Sequence, residues 1–111
     1  MLQFVKSVDA SKGISNGGST QLPIFTADNT PIPGSIAMVI VFKADAYGKP
    51  GVHDDNEGFF VISGEGKMVI GDTEYSLQEG CAMLVPAGTA HMIKRTGEAE
   101  LKVFIYHFPC A

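Results

Sequence analysis

Residues 57–95 read EGFFVISGEGKMVIGDTEYSLQEGCAMLVPAGTAHMIKR, and their rhythm decides the fold. Short apolar runs alternate with glycine-bearing turns. Strands are expected over 59–63, 67–70, 74–77 and 81–85. They are separated by Gly64-Glu65-Gly66, Gly71-Asp72 and Gln78-Glu79-Gly80. Pro86-Ala87-Gly88 ends the fourth, and a further strand follows over 91–95. Val, Ile, Phe and Thr suit strands, and glycine at this frequency punctuates any long helix. Turns every eight to twelve residues indicate a sandwich or barrel.

Residues 36–42 (Ile-Ala-Met-Val-Ile-Val-Phe) form a buried strand, because β-branched residues and the flanking Pro33-Gly34 and Gly48-Lys49-Pro50-Gly51 oppose a helix. A last strand covers 101–108. Before residue 34, strands are expected at 4–8 and 21–25, with loops over 12–20 and 28–34.

The chain has 111 residues, enough for a single domain over 1–111. Twelve acidic against eight basic residues give a formal charge of −4, which argues against a nucleic-acid partner. No apolar run is long enough for a membrane helix, and the N-terminal Met1-Leu2-Gln3-Phe4-Val5-Lys6 lacks the basic start and apolar stretch of a secretory signal. These features predict a cytoplasmic protein without a membrane partner. Cys81 and Cys110 have no metal or redox spacing, and Cys81 is expected to behave as a small buried hydrophobe.

The chemistry lies in three histidines and one carboxylate. His53 precedes Glu57 by four residues. On a straight strand their α-carbons would be about 13 Å apart, too far for one ion. A bend at Asp54-Asp55-Asn56 would fold Glu57 back towards His53. These three residues need no role beyond the turn. Pro86-Ala87-Gly88 would deliver His91 to a strand start. Two imidazoles and one carboxylate suit a divalent transition metal with open positions for substrate. A surface or core histidine is the plainer alternative for each. His107 shares strand parity with Leu101, Val103 and Ile105, so it is expected to be a hydrogen-bonded structural residue.

The stretch 51–95 resembles the two signature motifs of the cupin superfamily. The first runs His-x-His, three or four residues, Glu, six residues, Gly. His53, Glu57 and Gly64 match it. The second runs Gly, five residues, Pro-x-Gly, two residues, His, three residues, Asn. Gly80, Pro86, Gly88 and His91 match it. The resemblance implies a small antiparallel jelly-roll β-barrel (a double-stranded β-helix) with His53, Glu57 and His91 as metal ligands. The ion would be Fe, Mn, Ni or Zn. Two positions depart from the pattern: Gly51 stands where the first His belongs, and Arg95 where the Asn belongs. Asp55 and His107 are candidates to fill the gap at Gly51.

Substrate contact is expected from Phe59 and Val61, which share parity with Glu57. Arg95 either clamps a substrate carboxylate or pairs with Glu98 or Glu100 at the rim. Phe60 and Ile62 face outward, and since small cupins are often dimers, a homodimer through that face is expected. The resemblance implies a metal-dependent enzyme of isomerase, lyase or dioxygenase type, acting on a small polar organic molecule. The alternative is a non-catalytic small-molecule-binding or sensory module.

Overall fold

A computed structural model describes residues 3–110; Met1 and Leu2 of the N-terminal reading, and Ala111, lie outside the described residues. The strands are β1 (Ile14–Asn16), β2 (Ser19–Phe25), β3 (Ile36–Phe42), β4 (Asn56–Ser63), β5 (Gly66–Ile70), β6 (Thr73–Leu77), β7 (Ala82–Val85), β8 (His91–Arg95) and β9 (Leu101–Phe108). They form two antiparallel sheets, one ordered β1-β2-β3-β9-β4-β7 and the other β6-β5-β8. The hydrogen-bonded ladders do not join into one closed barrel. Among the described residues one isolated bridge, Gly51 with His91, links β8 to the segment before β4.

The interior follows from strand alternation. Phe59 and Val61 of β4, Leu101, Val103 and Ile105 of β9, and Val85 of β7 face one way from the larger sheet. Met68 of β5 and Leu77 of β6 meet them from the smaller one. Burial of these side chains is the main favourable term in folding, about 1.5–3 kcal/mol for each large residue. Cys81 and Met83 pack against this core, and both cysteines are free. The continuous apolar run of β3 is explained by its position between β2 and β9, with side chains on both faces half-buried.

The N-terminal segment departs from expectation. Residues 4–8 form no strand, and Phe4 and Val5 are exposed. Within the supposed loop 12–20, β1 pairs with β2 through a tight turn that has Gly17 at φ 65°. Polar Ser and Asn residues in β1 hide the strand from a hydropathy reading, because an exposed edge needs no apolar face. The loop over 28–34 is held locally: Thr26 N donates to Asn29 Oδ1 at 2.7 Å and Thr30 N to Thr26 O at 2.9 Å.

Candidate metal centre

Glu57 sits near the start of β4 and points inward with Phe59 and Val61; it is only 5% exposed. In the antiparallel ladder His107 of β9 lies directly opposite Glu57. His91 opens β8 in the other sheet. The turn before it has Gly88 at φ 80°, a conformation that favours glycine. That turn is tied to the segment carrying His53: Gly88 N donates to His53 O at 2.7 Å and Ala87 N to Asn56 Oδ1 at 3.1 Å. Gly51 and His91 exchange backbone hydrogen bonds of 2.9 and 3.0 Å. The chain bends at Asp54 and Asp55, which brings His53 back onto Glu57.

Three imidazoles therefore surround one carboxylate. Glu57 Oε1 is 3.1 Å from His53 Nδ1 and 3.0 Å from His91 Nε2, and Oε2 is 3.3 Å from His107 Nε2. The outward nitrogens of two rings are fixed. His91 Nδ1 lies 3.0 Å from Thr89 O, and His107 Nδ1 lies 3.2 Å from Asp55 Oδ1. A carbonyl and a carboxylate only accept, so both Nδ1 atoms carry the proton. Each Nε2 then faces the Glu57 carboxylate with either a second proton or a bare lone pair.

Acceptors placed this close need a proton or a cation between them. Burial pushes the Glu57 carboxyl up, but contact with His107 and His91 outweighs it and holds the group at about 2. The carboxylate in turn raises both His91 and His107, against the opposing effect of burial; Asp55 adds to the rise at His107. Either the two rings are protonated, or a metal ion lies between neutral rings and the anion. The orphaned atoms favour the ion. Glu57 Oε1 and His53 Nδ1 are buried with no hydrogen-bond partner although they are neighbours. Buried polar atoms left unpaired are rare and costly. His53, Glu57 and His91 offer ligand atoms within 4.8 Å of one another, and so do His53, Asp55 and His107. The donor set thus fits a divalent ion.

The histidines and Glu57 line a cavity of about 550 Å³ between the sheets. Its apolar wall includes Met38, Ile40, Phe42 and Phe59, while Gln21 and Lys49 supply polar lining that sequence reasoning missed. Phe59 meets the His91 ring edge-on, 5.9 Å between centroids.

Two expected substrate contacts are elsewhere. Val61 is fully buried in the core and does not line the cavity, because two residues along β4 carry it past the cavity floor. Arg95 does not line the cavity either. Its Nε donates to Lys43 O at 2.8 Å and Nη1 to Gly97 O, so the guanidinium clamps backbone rather than substrate or the rim glutamates. Asp55 does more than turn the chain, since it orients His107. His107 is hydrogen-bonded as expected, but its partners are acidic groups of the site rather than core backbone. Its inward parity was readable; its pairing with Glu57 depends on strand order, which no local signal carries.

Residues 38–107 match the Cupin domain family. Among curated proteins none matches the chain. Similar solved structures include the plu4264 protein of Photorhabdus luminescens, with TM-score 0.80 and 12% identity over 96% of this chain and 88% of that one. A predicted oxalate decarboxylase of Thermotoga maritima has TM-score 0.78 and 16% identity, over 94% and 99% of the two chains. FeII HppE has TM-score 0.73 and 20% identity, covering 94% of this chain and 64% of that one. At these identities the likeness is one of fold.

Proposed function

The chain belongs to the cupin family, and on that footing we propose that it is a divalent-metal-dependent enzyme acting on a small polar organic molecule. The observation that carries the reading is the convergence of His53 and His91 on the buried, unpartnered Glu57 Oε1. His53, Glu57 and His91 would hold the ion. Iron, manganese, nickel and zinc all suit two imidazoles and a carboxylate, and the iron(II) form of one structural neighbour supports a transition metal. When bound, such an ion supplies Lewis-acid chemistry of isomerase or lyase type, or an oxygen-binding centre.

The protein's own residues define what reaches that centre. Met38, Ile40, Phe42 and Phe59 give the cavity a wall that sheds water from an apolar portion of substrate. The polar portion would meet the histidine end, with Gln21 and Lys49 among the lining groups able to orient oxygen atoms. Thr89 O keeps the Nδ1 proton of His91 in place, so Nε2 stays directed inward.

A second reading is a ligand-binding or sensory module. It is favoured by Gly51, which leaves the family's first motif histidine without a counterpart. Metal analysis of the purified protein, beside His53→Ala and His91→Ala, tests the centre: one ion per chain is expected, lost in both variants. Ion retained by both removes the proposed site. With the ion in place, turnover on a panel of diols, keto acids and phenols supports the enzyme, and binding without turnover supports the module.

We propose further that two copies pair through the outer face of the larger sheet. Phe60, Ile62, Leu84 and Tyr106 are all exposed there, and Tyr106 lies in a row of rings between Phe104 and Phe108. An apolar face of this kind commonly marks an interface.

A further inference from the structure

His107 merits a different role from the one its strand position suggests. Gly51 occupies the place of a missing ligand, and its surroundings show what is missing. A Cβ built there would lie 3.3 Å from His53 Nε2 and 3.5 Å from His91 Nε2. Any side chain at 51 would thus begin at the metal centre, and glycine leaves that approach bare.

His107 reaches the same carboxylate from β9. Its ring stacks on His53 with centroids 5.1 Å apart, and its Nε2 lies 3.3 Å from Glu57 Oε2. The orientation repeats that of His91. In both rings Nδ1 is occupied by an oxygen acceptor and Nε2 faces Glu57. At His107 the acceptor is a carboxylate, Asp55 Oδ1. A ligating imidazole commonly donates its other N–H to a carboxylate or carbonyl, which sets the tautomer and raises ligand basicity. A purely structural histidine in the core has no need of two acidic partners on opposite edges. Asp55 comes from the same bend that returns Glu57 to His53, so one turn would place both a ligand and the group that orients another.

We infer that His107, oriented by Asp55, is the additional nitrogen ligand of this centre and makes good the loss of a histidine at position 51. The inference rests on the metal reading above. His107 is a ligand and Asp55 a positioning residue; the ion is a single one, shared with His53, Glu57 and His91.

The test uses the full chain loaded with copper(II), with coordinated imidazole nitrogens counted by pulsed electron paramagnetic resonance. Zinc affinity is measured in parallel by chelator competition. The wild type should bind one ion through three imidazoles. His107→Gln should show two and bind zinc about 100-fold more weakly. Gly51→His in the His107→Gln background should bring the count back to three and recover affinity. Asp55→Ala should weaken zinc about tenfold with the count unchanged, and Asp55→Asn, which keeps an acceptor, should recover part of that. Melting in chelator shows whether each variant is folded; if His107→Gln is not, His107→Asn takes its place. Three nitrogens in a folded His107 variant, or two ions per wild-type chain, would overturn the inference while leaving the metal reading intact. No ion in the wild type would instead overturn the metal reading itself.

Discussion

The two ends of the interior are built on the same strands yet do opposite things. β4 carries Glu57 at one end and Val61 towards the other, and β9 carries His107 and Val103. Val61, Val103, Leu101 and Met68 are wholly buried and apolar. At the other end, one carboxylate and three imidazoles adjoin a cavity. The two ends divide the labour: the dry end supplies stability, which permits the polar end to keep orphaned atoms. A fold of marginal net stability can carry such a cluster only if its packing elsewhere is sound.

The largest expected effect lies at the dry end. Leu101→Ala should destabilise the protein by about 2–5 kcal/mol in urea denaturation, with ion affinity in the surviving folded fraction unchanged. An equal loss of affinity would mean the ends are not separable. At the polar end His91→Ala should reduce ion affinity by about 100-fold or more, read by chelator competition, with a smaller change in the melting temperature of the metal-free protein.

The pH response separates the ends further. The Glu57 carboxyl is held at about 2 against an ordinary 4.5, so its contribution is present above pH 4.5 and is lost as pH falls towards 2. His91 and His107 are raised above 6.5, so theirs is full below 6.5 and is lost as pH rises through the raised values. The metal-free protein should therefore melt highest between about pH 4.5 and 6.5. Ion binding should strengthen with pH above that window, because the ion displaces the protons on Nε2. Thermal melting across pH, with and without zinc, checks both slopes; parallel curves would contradict the account.

Two smaller effects complete the contrast. Arg95→Gln should lower stability by about 1–3 kcal/mol through the lost bonds to the carbonyls of Lys43 and Gly97, without altering ligand or ion binding. Leu84→Ser should change monomer stability by no more than about 0.5 kcal/mol but shift sedimentation from dimer towards monomer. An unchanged sedimentation profile with wild-type dimer would place the interface elsewhere.

Much of this was legible in the chain. The strands over 36–42, 91–95 and 101–108 coincide with β3, β8 and β9, because β-branched runs between glycine and proline turns carry their own signal. The bend at Asp54-Asp55 was readable from turn chemistry. Other features depend on partners distant in sequence. β1 escapes because an exposed strand of Ile, Ser and Asn lacks apolar alternation. Val61 and Arg95 share parity with site residues, but parity gives a face and not a depth along the strand. His107 opposite Glu57 follows from β9 lying between β3 and β4, a sheet order that the local sequence of neither residue encodes.

The most direct test is crystallography of the zinc-loaded protein with anomalous scattering at the metal edge. The account predicts one peak per chain, about 2.0–2.2 Å from nitrogen and oxygen donors of His53, Glu57 and His91. A peak only at other residues, or none beside a well-ordered Glu57 still flanked by its imidazoles, would contradict it.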